Sequence, residues 1–383
     1  VSKKKNKKNQ KKTDKNLKIQ EFSSLHSRKN NRKKDSGLKK TLLSISKILG
    51  VLLAISLLGI VVYGIKMVVD GNKFLNDAYK PRETSQVENE KIDVQKDPIS
   101  ILLLGLDDDA EDTRGTGGAR TDSMILLTIN PSNELVSMVS IPRDTYTHIS
   151  TKNFDGNDKI NAAYAHGGVE GSITAVEELL NVPINYYATA DFQAFEDVVN
   201  AVGGVEIDVP FTLTEQNSKG KKVVKLKEGK HNLNGEEALA FARTRYVDND
   251  IERGKRQQEV LEAIAQKAME VGSLAKYKSI LNALDGHVTT DMPPSRILSV
   301  AQSGLTKDYK FDSYVFSWMS YNYGEQSMVG LHKDSIDYIS HKLRLSLGLE
   351  KADDRDDASY KFETDGLVDP RTYPQDGMAI DDY

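Results

Sequence analysis

Apolar residues fall along this chain in three patterns. The first is one unbroken run, Ile48 to Ile65 (ILGVLLAISLLGIVVYGI), 18 residues without a charge, flanked by Lys47 and Lys66 and extended by Met67–Val69. At about 1.5 Å per residue it matches the hydrocarbon thickness of a bilayer, and no polar stripe marks the solvent face that a core helix would show. The second pattern is a set of short apolar runs closed by turn residues, which predicts buried strands. Ile99–Leu104 ends at Gly105. Met124–Ile129 and Leu135–Ile141 flank Asn130-Pro131-Ser132-Asn133 and read as a hairpin, and Ile184–Ala188 and Val205–Val209 are further strands. The third pattern has helical spacing. Ile160–Ala165 and Ile173–Leu180 read as two helices. Asp191 can cap a helix whose Phe192, Phe195, Val198, Val199 and Val202 share a face and which Gly203-Gly204 stop. Asn234 can cap a helix through Glu236–Ala242. Val260, Leu261, Ile264, Ala268 and Val271 stripe a longer one. Strands alternating with helices predict an α/β fold, a central mixed sheet flanked by helices.

Charge divides the chain differently. The net charge is −4, but residues 1–40 hold 16 Lys/Arg against 3 Asp/Glu, a net of +13, and the remainder carries −17. Five segments follow: a basic, disordered tail (1–46), one N-terminal transmembrane helix acting as a signal anchor (47–69), a polar stalk (70–97), a globular domain (98–346), and a disordered acidic tail (347–383). The basic flank places the N-terminus in the cytoplasm and the domain on the extracellular side of a cell membrane of Gram-positive type. A cleaved signal peptide is the rival, but KMVVDGNKFLNDAY after the run offers no small-x-small cleavage site. The tail contacts anionic membrane lipid; no aromatic interleaving or recognition-helix pattern in it favours nucleic acid. The absence of cysteine excludes disulfides, thiolate metal sites and a Cys nucleophile.

Acids and arginines concentrate at expected strand ends. Asp107-Asp108-Asp109 follows the first strand. Arg120 and Asp122 follow a Gly-rich loop, and Arg143-Asp144 ends a strand. A fourth group, Arg243 and Arg245, closes a helix, and Asp250, Arg253, Arg256 and Gln257-Gln258 open the next. Ligand sites in α/β folds gather beyond strand ends, so these groups can converge. Guanidinium forks suit phosphate oxygens, and two or three carboxylates can hold Mg²⁺ with water and substrate phosphate completing its shell. No GxxxxGK[ST] loop, HExxH spacing or serine-hydrolase set competes. Outside a membrane, without ATP, a phosphoryl-transfer enzyme needs an activated donor, and a lipid pyrophosphate is one.

The ordered series ILLLGLD, ARTDSM, VSMVSIPRDTY, KINAAYAHGG, VVNAVGGVEIDVP, LNGEEALAFARTRY and DIERGKRQQ resembles the LytR–CpsA–Psr (LCP) family, densely over 98–272 and more loosely to 346. The resemblance implies a mixed sheet with a hydrophobic lipid-binding tunnel. It also implies transfer of an anionic glycopolymer, such as teichoic acid or capsule, from a polyprenyl-pyrophosphate carrier to the muramic acid C6 hydroxyl of peptidoglycan, with release of polyprenyl phosphate. It assigns Asp107 and Asp122 to Mg²⁺ (or Mn²⁺). Arg120, Arg143, Arg243, Arg245, Arg253 and Gln258 go to the pyrophosphate, with Arg143, Arg245 and Asp122 as the catalytic set. The alternatives at this point are a membrane-anchored transcriptional regulator or attenuator, a polyprenyl-pyrophosphate phosphatase using water as acceptor, and a non-catalytic lipid-binding protein.

Overall fold

A computed structural model describes residues 77–82, 92–106, 120–217, 223–244, 250–270, 286–307, 309–357, 360, 366–376 and 379–380. The apolar run at 48–65 lies outside them. Among the described residues no helix is long and apolar enough to cross a membrane.

Six strands form the central sheet. They are β1 (Ile99–Leu106), β2 (Thr121–Asn130), β3 (Leu135–Ser140), β6 (Tyr186–Asp191), β11 (Val288–Thr290) and β12 (Lys310–Val315), in the order β11-β6-β1-β2-β3-β12. β1 runs parallel to β6 and β3 parallel to β12, while β1–β2, β2–β3 and β6–β11 are antiparallel. The sheet is therefore mixed, as expected, and β2–β3 is the predicted hairpin. This topology brings the C-terminal ends of β1, β3, β6 and β12 and the N-terminal end of β2 to one edge.

The continuous apolar runs are explained by burial on both faces. Ile99, Ile101 and Leu103 of β1, with Ile125 and Leu127 of β2, pack on one side with α2 (Phe192–Val202), α3 (Gly235–Arg243), α4 (Asp250–Glu270) and α5 (Pro294–Thr306). Leu102, Leu104, Met124 and Leu126 pack on the other with α1 (Ala162–Leu180) and α6 (Lys333–Ser346). Each such side chain removed from water contributes about 1.5–3 kcal/mol, so neither face tolerates a polar residue cheaply.

Local signals set the helix ends. The Asp191 carboxylate accepts from Ala194 N at 2.7 Å and starts α2, and Gly203, at φ 94°, ends it. Asn234 and Glu237 form a reciprocal capping box at the head of α3. The two helices expected around Ile160–Ala165 and Ile173–Leu180 are one element. α1 continues through a kink at Gly168, whose φ of 61° and ψ of −147° suit a residue without Cβ.

Two expectations are corrected. The 70–97 stretch, expected as a stalk, packs onto the domain where it is described. Tyr79 bridges to Thr290. Buried Arg82 binds buried Asp291 at 2.5 Å and donates to the Asn185 carbonyl at 2.9 Å. Ala78 and Val94 belong to the core. The 347–383 stretch, expected as a disordered tail, is docked over its described residues. Asp369 and Thr372 are buried, and the Thr372 hydroxyl accepts from Leu331 N. Ala379–Ile380 pairs antiparallel with Asn322–Tyr323. The physical reason is that the hairpin β13 (Trp318–Tyr323) and β14 (Gln326–Leu331) exposes pairing groups and tyrosines that the acidic stretch covers. Its acids are neutralised locally, so composition alone misjudged it. The remaining small sheets are β4 (Tyr146–Ser150) with β5 (Asp155–Lys159), β7 (Val205–Val209) with β10 (Gly229–Leu233), and β8 (Leu213–Gln216) with β9 (Val223–Leu226); β15 is Ala379–Ile380.

Candidate active site

The strand-end edge carries two contiguous spaces of opposite character. Between the sheet and helices α2, α3 and α4 lies an apolar cleft, walled by Leu103, Ile125, Ala188, Val198, Leu261 and Ile264 among others. Beside it is a polar mouth lined by Asp122, Ser123, Phe192, Glu215, Arg243, Arg253 and Gln257. Ser123, Phe192, Arg243 and Gln257 line both, so the cleft opens into the mouth.

Each charged group is held by its element. Asp122 sits near the start of β2, and Arg143 follows the end of β3. The Arg143 Nη1 donates to the Asp122 carboxylate, and its Nε lies 3.6 Å from Asp144, which also takes Lys159 Nζ at 2.9 Å. Backbone bonds fix this loop: Asn161 N donates to the Arg143 carbonyl at 3.2 Å, Ile160 N to Thr145 at 2.7 Å and Val329 N to Asp144 at 2.9 Å.

Arg243 ends α3. The chain leaves the helix at Thr244, with φ −58° and ψ 138°. Buried Arg256 satisfies the carbonyls left at that helix end, donating to Phe241 at 3.1 Å and Thr244 at 2.6 Å. The Arg243 guanidinium lies 4.8 Å over the Phe192 ring, and its buried Nη1 has no hydrogen-bond partner among the described residues. The same holds for Nε of Arg120, which directly precedes β2. A buried donor left unmade costs about 1–3 kcal/mol, so such atoms mark a place prepared for an acceptor.

α4 brings the last cation. Its Gly254 presses against the end of β3, where an added Cβ would lie 2.7 Å from Ser140 Oγ and 2.9 Å from Ser140 Cβ. That close approach carries buried Arg253 and half-buried Gln257 to the mouth, and the Ser123 hydroxyl lies 3.0 Å from Gln257 Oε1.

Three sequence-predicted residues therefore line the mouth, Asp122, Arg243 and Arg253, and Arg143 joins them through its ion pair with Asp122. Arg120 stands at the head of the same strand, outside the residues lining the mouth. Asp107 and Arg245 lie outside the described residues, as do Asp108, Asp109 and the side chain of Asp250. Gln258 is a correction. It is buried and donates to the Tyr314 carbonyl at 3.2 Å, tying α4 to β12. Gln257 faces the mouth instead. Helix geometry held the signal, since Arg253 and Gln257 are four positions apart on one face whereas position 258 is turned well away. Phe192 and Glu215 carried no such signal.

Metal-binding capacity is narrow here. Asp122 has a second carboxylate oxygen beyond the one that Arg143 engages. Among the described residues, the grouping of three ligand atoms within 4.8 Å of one another is His341, Asp353 and Asp356, on α6 and the C-terminal segment.

The LytR_cpsA_psr family profile matches residues 62–344. The chain belongs to the LytR–CpsA–Psr family. Relatives within it include the polyisoprenyl-teichoic acid–peptidoglycan teichoic acid transferase TagU of Bacillus cereus, 38% identical over 277 residues, 71% of this chain and 84% of the relative. The crystal structure of Bacillus subtilis TagV superposes with a TM-score of 0.58 at 32% identity, covering 67% of this chain and 99% of that one. The LCP-family protein YwtF (TagT) with bound octaprenyl pyrophosphate lipid gives a TM-score of 0.54 at 30% identity, covering 71% and 99%. The LytR–CpsA–Psr assignment thus agrees with the mixed sheet and its helices.

Proposed function

We propose that this protein transfers an anionic glycopolymer from a polyprenyl-pyrophosphate carrier to peptidoglycan, forming a phosphodiester at the muramic acid C6 hydroxyl. One observation carries the reading: an apolar cleft and an arginine-rich mouth share four wall residues. A ligand with a long hydrocarbon chain and a pyrophosphate head has that same division. The names of the TagU and TagV relatives and the lipid bound to TagT support it.

In this reading the cleft is the lipid tunnel, and its side chains take the polyprenyl chain out of water. Arg143, Arg243 and Arg253 bind the pyrophosphate, with Arg120 behind them and Arg245 continuing the series. Their fixed charges meet the negative charge that grows on the leaving phosphate, in a partly dry site where such interactions are strongest. The acceptor hydroxyl attacks the phosphorus nearer the polymer. The new P–O bond forms as the bond to polyprenyl phosphate breaks, and the hydroxyl proton is released. Asp122 orients Arg143 by their ion pair.

Asp122 and Asp107 would hold Mg²⁺ or Mn²⁺. The donor set fits, since such a cation takes one or two carboxylates and completes its shell with water and substrate phosphate. When bound, the ion supplies further charge neutralisation on the pyrophosphate.

The anchor, the cytoplasmic N-terminus and the extracellular domain complete the proposal, supported by the uncharged Ile48–Ile65 run and the +13 flank. A lipid-linked donor would then reach the mouth from the membrane that holds it.

The test is transfer by the purified protein from a synthetic polyprenyl-pyrophosphate saccharide to a peptidoglycan acceptor. Equimolar polyprenyl phosphate and phosphodiester product are expected. Release of the lipid with water as the sole acceptor would replace the transferase by a phosphatase.

A further inference from the structure

A second groove lies outside the family-matched segment on one wall and three residues from the site on the other. Its walls are Tyr146 and Asn157 of the β4–β5 hairpin, Glu178 at the end of α1, and Arg371, Tyr373 and Asp376 of the C-terminal segment. The family profile matches residues 62–344, so the 371–376 wall lies beyond the matched segment.

Two tyrosines, Tyr146 and Tyr373, line the groove among mostly polar residues, and each is backed by a further ring. The Tyr146 and Tyr323 rings pack edge to face at 5.7 Å, and Tyr373 lies against Tyr321 at 4.7 Å. The Tyr323 hydroxyl donates to Asp376 at 2.8 Å. The Arg371 guanidinium is turned to the Asp369 carboxylate at 2.8 Å and the Leu179 carbonyl at 3.1 Å. With that cation engaged, and with the His148 ring in the same wall set 3.6 Å from Glu178 and 2.9 Å from Asp155, the carboxylates of Glu178 and Asp376 leave the rim without a surplus of positive charge. A polyphosphate is disfavoured there by like charge. A hydrocarbon chain is disfavoured by the polar rim. Tyr146 is buried, so the aromatic surface the groove offers is that of half-buried Tyr373; set beside amide and carboxylate groups, it suits a neutral saccharide, which has apolar C–H faces and a belt of hydroxyls.

Position adds the second argument. Tyr146 follows Arg143 by three residues, a span of at most about 11 Å. The connecting loop is rigid: Thr145 is buried, its hydroxyl donates to the Pro142 carbonyl at 2.7 Å, and it is bonded through its backbone to Ile160. The Tyr146 wall of the groove is therefore tied through this loop to the backbone that carries Arg143.

We infer that this groove binds the glycan strand of the acceptor and sets its hydroxyl beside the pyrophosphate. This rests on the transferase reading above, and the test separates the two. Saccharide binding is measured first without donor, by titrating a β-1,4-linked N-acetylhexosamine oligosaccharide into the full chain and following NMR shifts. Tyr373→Ala and, on a different element, Asn157→Ala are compared with Tyr360→Ala, a C-terminal tyrosine outside the groove. The expected result is binding by the wild type and Tyr360→Ala, and about tenfold weaker binding by the other two, the size of losing one aromatic or polar anchor. In the transfer assay, the same two variants should raise KM for the acceptor about tenfold while donor KM stays constant. Unchanged saccharide binding in both groove variants, or a wild type that does not bind, overturns the inference. A wild type that binds the saccharide yet transfers nothing overturns the transferase reading and leaves the groove standing.

Discussion

Two charge clusters in this protein use the same residue types to opposite ends. At the strand-end mouth Arg243, and at the head of β2 Arg120, keep buried nitrogens without a hydrogen-bond partner among the described residues, and Arg243 rests on the face of Phe192. On α6 and the C-terminal segment, buried His341 has Glu350 at 2.6 Å from one ring nitrogen and Asp356 at 2.9 Å from the other. Lys342 pairs with Asp356, Arg344 with Glu350, and Arg355 with Asp353. The second cluster contains the three-residue His/Asp grouping found among the described residues, yet its carboxylates already face protein cations. It staples the segment that composition suggests should be loose. The first holds charge in reserve. Satisfaction, not the number of charged residues, separates a ligand site from a staple.

The contrast predicts different losses. Arg143→Ala or Arg243→Ala should lower transfer by about 10²–10³-fold, the scale of removing one group that stabilises transition-state charge. Thermal unfolding should stay near the wild-type midpoint in both, which a purely structural role would not allow. Ala190→Phe, narrowing the apolar cleft, should raise KM for a long-chain polyprenyl donor about tenfold and leave a short-chain donor little changed. Equal effects on both donors would place the chain elsewhere.

Arg256→Ala sits between the two classes. It removes the bonds that close the end of α3, so it should destabilise the domain by about 2–3 kcal/mol. Activity should fall with it, because Arg243 stands at that helix end. Denaturant titration beside kinetics separates the two effects.

His341→Ala should leave donor binding unchanged and loosen the C-terminal segment, seen as faster hydrogen exchange at Asp369–Thr372. The smallest effect is on pH. Hydrogen bonds from Lys342 and His341 outweigh the burial that opposes them and hold the Asp356 carboxyl down at about 2; His341 and then Arg344 lower that of Glu350. Carboxyls depressed in the folded state stabilise it above their unfolded pKa, and that contribution is lost as pH falls from about 4 towards about 2. Exchange protection of the segment should follow that window. A transition near neutral pH would point to another group.

Much of the fold was readable because burial on both faces writes itself as unbroken apolar runs. β1, β2 and β3 showed in that way, and Asp191 and Asn234 announced their helices by capping chemistry. The β13–β14 hairpin and the docked C-terminus were not readable. Their order depends on contacts between distant segments, such as Leu331 with Thr372, that no local pattern records. The site divides likewise. Asp122, Arg143, Arg243 and Arg253 were found from strand ends and helix ends. The resemblance put Gln258 at the pyrophosphate, while Gln257 lines the mouth, because adjacent residues on a helix look equivalent in a motif and face different directions in space.

The claim that cleft and mouth form one site is tested most directly by a crystal structure with a non-hydrolysable polyprenyl-pyrophosphate saccharide. The hydrocarbon chain should run past Leu103, Ile125 and Leu261, with pyrophosphate oxygens within hydrogen-bonding distance of Arg143, Arg243 and Arg253. A lipid bound outside the cleft, or a head group turned away from all three arginines, would contradict the account.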